Sequence, residues 1–66
     1  MEIQLNGQPR EIAAGTTLAA LLDDAGYGGR KVAVEVNLSV VPRSQHGSQV
    51  LADGDRVEII HAIGGG

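Results

Sequence analysis

Apolar and polar residues alternate from the first residue: Met1, Ile3 and Leu5 against Glu2, Gln4 and Asn6. That is the period of a strand with one face in a core. Asn6-Gly7 follows, a pair that tolerates the positive φ of a tight hairpin turn, and Gln8 to Ile12 is expected to return alongside. Pro9 has no amide hydrogen to give to a ladder, which assigns this second strand to a sheet edge. The period then changes. In GTTLAALLDDAG, Leu18, Leu21, Leu22 and Ala25 fall at i, i+3, i+4 and i+7, the apolar stripe of a helix. Thr16 is the expected N-cap, and Gly26 the left-handed residue that ends the helix. Asp23 and Asp24 sit near the negative end of the helix dipole, which loosens the last turn.

Alternation resumes in KVAVEVN, with Val32, Val34 and Val36 on one side. Asn37-Leu38-Ser39 reads as a turn into a short strand, Val40-Val41-Pro42. RSQHGSQ is polar and irregular, and Leu51 is expected to return to the core. Asp53-Gly54-Asp55 is turn chemistry. The last strand is RVEIIHAI, in which Val57, Ile59, His61 and Ile63 share one side and Glu58 and Ile60 face out. The order is β-β-α-β-β-β: an α+β domain, one helix on one face of a mixed sheet of about five strands. The expected boundaries are a domain over residues 1–63 and a flexible glycine tail over 64–66.

A chain of 66 residues is one small domain, which buries about 60% of its unfolded surface and is modestly stable. There is no cysteine, hence no disulfide, thiolate zinc site or thiol nucleophile. The apolar set is Leu, Ile, Val and Ala, with Tyr27 the single aromatic, so the core is aliphatic. A net charge of −3 and the lack of aromatic platforms argue against nucleic acid and suit a partner with a basic patch. No apolar run reaches membrane length and no signal-peptide pattern opens the chain, so a cytoplasmic location is expected. Asn37-Leu38-Ser39 matches the glycosylation pattern and is read as coincidence.

The chemistry-bearing side chains are sparse. GYGGR follows a helix and lacks the Gly-Lys-Ser/Thr of a phosphate loop, so it reads as a helix stop, and any ATP involved belongs to another protein. His46 and His61 lack a third ligand at a recognisable spacing, and no metal site is expected. Asp53 and Asp55 belong to a turn, and Ser39, Ser44 and Ser48 have no histidine–carboxylate relay. No catalytic residue and no bound cofactor is assigned. What remains is the end of the chain, Gly64-Gly65-Gly66, directly after an apolar strand. Three glycines reach about 10 Å when extended and carry no Cβ to clash inside a narrow slot. They are either a frayed end or a part made to be threaded into another protein.

NLSVVPR, LADGDRVEIIHAIGGG, the MEIQLNG start and VAVEVN together resemble the sulfur-carrier proteins of thiamin biosynthesis, the ThiS family of the ubiquitin-like β-grasp group. The similarity spans essentially the whole chain. The molybdopterin-synthase small subunit is a related type that also ends in Gly-Gly. The resemblance implies a β-grasp with the last strand inside the sheet beside the first. It implies that the Gly66 carboxylate is adenylated by an E1-like (ThiF-type) enzyme using ATP and Mg²⁺. Sulfur from a persulfide donor such as a cysteine desulfurase then gives a thiocarboxylate, which a ThiG-type thiazole synthase accepts. Gly64 and Gly65 are the rest of the tail, and Ile60 is a docking contact, with a rim residue covered by a loop as the alternative. Arg43 and Arg56 are rim charges or simply solvated. A ubiquitin-like modifier joined to lysines through Gly66, a carrier for molybdopterin or another pathway, and an inert interaction module stay open as other readings.

Overall fold

A computed structural model describes residues 1–61, the side chain of His61 excepted. Its elements are β1 (Glu2–Leu5), β2 (Gln8–Glu11), α1 (Leu18–Asp24), β3 (Val32–Val36), β4 (Ser39–Val41), a 3-10 turn (Arg43–Gln45) and β5 (Arg56–His61). The strands form one sheet in the order β2-β1-β5-β3-β4. β1 and β5 run parallel, and the other pairings are antiparallel. The last strand therefore lies inside the sheet beside the first, with a single α-helix over one face: the β-grasp arrangement.

The alternation works as the sequence implies. Ile3, Leu5, Val34, Val36, Val57 and Ile59 are buried on the helix side, where they meet Leu18, Leu21 and Leu22 from α1. Leu51 returns to this core and is also buried. Asn6 and Gly7 carry φ of 52° and 81°, the two positive values that a two-residue turn between strands needs. Pro9 lies on the edge strand β2, opposite Gln4.

The helix start differs by one residue from the expectation. Thr17, not Thr16, is the N-cap, its hydroxyl accepting from the Ala20 amide. The Thr16 hydroxyl donates instead to the Ala13 carbonyl at 2.6 Å and closes the preceding turn. At the other end Gly26 has φ of 91°, the left-handed residue that follows the last turn. Asp24 is answered by Arg10, whose Nη2 donates to its carboxylate at 2.9 Å. RSQHGSQ is more ordered than its polarity suggests. It holds the 3-10 turn, and buried His46 sets its Nε2 3.0 Å from the Val41 carbonyl, the donor end of that bond being the ring N–H.

Candidate functional site

Strand β5 is the element from which the glycine tail departs, and side chains at both flanks brace it. On one flank β1 ends at Leu5 and the chain turns away. The Asn6 side-chain oxygen then accepts from the Ile59 amide at 2.8 Å, extending the ladder past the end of β1. On the other flank β3 ends at Val36. There the Asn37 oxygen accepts from the Arg56 amide at 3.0 Å, while its Nδ2 donates to Asp55 Oδ1 at 3.0 Å.

The Asp53-Gly54-Asp55 turn clasps the start of the strand. Asp53 Oδ1 accepts from the Glu2 amide at 2.9 Å, and Asp55 Oδ2 accepts from the Ala52 amide at 2.8 Å. Both carboxylates thus accept backbone hydrogen bonds, Asp55 one from the Asn37 side chain as well, and serve the turn. Sequence reasoning recognised Asn6, Asn37 and these aspartates as turn formers. That Asn6 braces a strand 53 positions away, and Asn37 one 19 positions away, has no local signature.

The outer face of the sheet, away from α1, is where β5 can meet another protein. Val57 and Ile59 are buried, and Ile60 is 46% exposed, as the alternation requires. Ile60 lies directly opposite Ala33, and Glu58 opposite Glu35. Val40, on the same face through its pairing with Glu35, is 65% exposed. Ile60 and Ala33 thus leave apolar side chains open close to the end of β5, with Glu58, Glu35 and Val40 in the next row of the same face. Among the described residues no loop covers Ile60 completely. Arg43 and Arg56 are both exposed.

Register places His61 opposite Val32, so the last described residue of β5 lies at the end of the sheet bounded by the residue 27–31 loop. Gly64, Gly65 and Gly66, together with Ile63, lie outside the described residues, as does the side chain of His61. His46 is committed to the Val41 carbonyl, and Ser48 Oγ donates to the Gln45 carbonyl at 3.2 Å, so this histidine and serine form no relay. Among the described residues, no group of three or more His, Asp or Glu side chains could hold a metal ion, and no helix is long and apolar enough to cross a membrane. What the geometry offers is an interior strand cross-braced on both flanks by side-chain hydrogen bonds.

Comparison with known proteins gives this arrangement a family. The model of the ThiS family matches residues 3–66. The sulfur carrier protein ThiS of Escherichia coli is 33% identical over 66 residues, covering all of both chains. A protein of Magnetococcus marinus named thiazole synthase is 50% identical over the same 66 residues, and this chain spans 20% of that relative's length. The crystal structure of a thiamine biosynthesis protein, ThiS, from Geobacter metallireducens superposes with a TM-score of 0.86 at 30% identity, covering both chains completely. Sheet order, helix placement and full-length similarity agree: the chain belongs to the ThiS family.

Proposed function

We infer that the chain is a sulfur-carrier protein of thiamin biosynthesis whose working group is the carboxylate of Gly66. The observation that carries this reading is the family match through residue 66, which takes in the three glycines that follow the interior strand β5.

The chemistry follows from what a carboxylate lacks. It is a poor electrophile at neutral pH, so an E1-like, ThiF-type enzyme first joins it to the α-phosphorus of ATP, with Mg²⁺, and pyrophosphate leaves. The acyl-adenylate then has a good leaving group. The outer sulfur of a persulfide, supplied by a donor such as a cysteine desulfurase, attacks the carbonyl carbon and displaces AMP. A thiol cleaves the resulting sulfur–sulfur bond as a mixed disulfide and leaves the thiocarboxylate. A ThiG-type thiazole synthase takes the sulfur for the thiamin thiazole ring. The relative named thiazole synthase that contains a stretch like this chain supports the pairing of carrier and synthase.

In this reading the domain is a co-substrate, acts in the cytoplasm, binds no cofactor of its own and supplies no catalytic side chain. Its residues orient and present. The Asn6, Asn37 and Asp55 hydrogen bonds hold β5 in place, and the face around Ile60 gives the partners an apolar contact. Residues 64–66 are the tether, reaching about 10 Å when extended.

ATP–pyrophosphate exchange by the adenylating enzyme of the same organism tests the proposal. The chain ending at Gly66 is expected to drive exchange, and a chain with one residue added after Gly66 is expected to be inert. Equal exchange by the extended chain, untrimmed, would overturn it. An isopeptide-linked adduct through Gly66 in cells would favour the modifier reading.

A further inference from the structure

The cations of this acidic chain are unevenly placed. It has five Lys and Arg against eight Asp and Glu. Arg10 is paired with Asp24 at 2.9 Å. Arg56 begins β5, opposite Gln4, and is exposed and without an ion pair among the described residues. The remaining three, Arg30, Lys31 and Arg43, are exposed and make no ion pair among the described residues.

All three lie at one end of the sheet. Arg30 and Arg43 line a cleft of about 320 Å³ together with Tyr27 and Val32. Lys31 immediately precedes Val32, and Val32 is the register partner of His61. The cations therefore lie at the end of the sheet where β5 reaches His61, its last described residue. Arg56 is at the far end of that strand, about 16 Å away at the usual rise per residue. Asp23 also lines the cleft, yet its carboxylate lies against Gly28, where an added Cβ would collide with it, and it pairs with neither arginine. A molecule with surplus carboxylates thus keeps three of the four Lys and Arg side chains that make no ion pair among the described residues at the end of the sheet where β5 reaches His61.

We propose that Arg30, Lys31 and Arg43 form a cationic collar that docks on carboxylates of the adenylating enzyme at the mouth of the slot that receives the tail. The proposal rests on the carrier reading and adds to it the chemistry of the partner's rim. The apolar contact around Ile60 sits on the outer face, whereas the collar sits at the strand end. Two contacts in different directions fix both the position and the heading of the tether. Exposed charges of this kind act over about 10 Å at 0.1 M salt and govern encounter rate more than the lifetime of the complex. The cleft between Arg30 and Arg43 gives a partner carboxylate a place to enter.

The test is the association rate of the full chain with the adenylating enzyme of the same organism, measured at low and at high salt. The double variant Arg30→Glu/Arg43→Glu is expected to associate at least about tenfold more slowly at low salt, the scale of electrostatic steering. The gap should close at high salt. Arg56→Glu, with half that charge change at the other end of β5, is expected to stay within about twofold at about 0.1 M salt, where screening over about 10 Å confines the effect to nearby charges. Thermal melting identifies any misfolded variant, and Arg30→Gln/Arg43→Gln, which removes charge without reversing it, should give an intermediate rate. Equal rates for wild type and the double variants, with normal ATP–pyrophosphate exchange, would overturn the collar and leave the carrier reading intact. Equal slowing by Arg56→Glu would also overturn it, since net charge alone would then explain the effect. Absence of exchange with the wild-type chain would overturn the carrier reading and the collar together.

Discussion

Replacing Asn6 tests how the tail-bearing strand is held. Its side-chain oxygen accepts from the Ile59 amide at 2.8 Å in a partly buried setting, and its backbone sits at φ of 52°. Asn6→Gly keeps the backbone free to adopt that φ but removes the acceptor. A buried donor left unpaired costs about 1–3 kcal/mol, and partial access to water places this one near the lower half, about 1–2 kcal/mol. Asn6→Ala loses the same bond and adds the left-handed penalty of about 1–2 kcal/mol for a residue with a Cβ, for a total of about 2–4 kcal/mol. Asn6→Asp keeps an acceptor and a tolerance of positive φ, and should remain close to wild type. For 66 residues the whole stability is about 3–10 kcal/mol, so Asn6→Ala removes a large share of it. Thermal melting should fall by roughly 5–15 °C for Asn6→Gly, at about 4–8 °C per kcal/mol for a domain of this size, and further for Asn6→Ala. Amide exchange at Ile59 should speed up selectively in both. If Asn6→Gly melts within about 0.5 kcal/mol of wild type, the level of a neutral surface change, and Ile59 stays protected, the brace carries no weight and the reasoning fails.

Ile60→Arg places a charge on the outer-face apolar surface, 46% exposed in the native chain. It should leave melting within about 0.5 kcal/mol of wild type while weakening binding to the adenylating enzyme or to thiazole synthase at least about tenfold, the cost of losing a well-packed interface anchor. Unchanged affinity for both enzymes, measured by calorimetry, would remove Ile60 from the docking surface. Gly66→Val puts a branched side chain beside the carbon that must react and stiffens the tether, so ATP–pyrophosphate exchange should collapse with no change in melting. Gly64→Ala, farthest from that carbon, should reduce exchange much less, and equal losses from the two would mean that bareness along the whole tail, not position, is what matters.

The sheet was legible where burial is one-sided. Ile3/Leu5, Val32/Val34/Val36 and Val57/Ile59 alternate because one face meets α1 and the other faces outward, and a slip of one residue would turn every side chain over. The helix was legible from Leu18, Leu21 and Leu22, and its end from Gly26. Its beginning was not, because two adjacent threonines both suit a cap and only the surrounding chain decides between them. Thr16 is drawn to the Ala13 carbonyl, which leaves Thr17 to cap. The roles of His46, Asn6 and Asn37 were hidden for a different reason. His46 pairs with a carbonyl five residues back across an irregular segment, while Asn6 and Asn37 pair with backbone groups that topology brings near, and a side-chain hydrogen bond across 53 positions, as from Ile59 to Asn6, leaves no periodicity to read. The outward phase of Ile60 followed from strand alternation. The clustering of Arg30, Lys31 and Arg43 around the strand end did not, since it depends on β3 and β5 being neighbours with Val32 opposite His61. The chemistry expected of Gly66 came from resemblance, because three glycines have no side-chain chemistry to display.

The central claim is that the Gly66 carboxylate carries sulfur, and the intact mass of the chain measures it most directly. The chain ending at Gly66 would be incubated with the adenylating enzyme, ATP, Mg²⁺, a cysteine desulfurase with cysteine, and a thiol reductant, then fragmented to locate any change. The account predicts the exchange of one oxygen for one sulfur, confined to the C-terminal residue, dependent on ATP and abolished by Gly66→Val. An unchanged mass after productive adenylation, or a sulfur located anywhere other than Gly66, would contradict it.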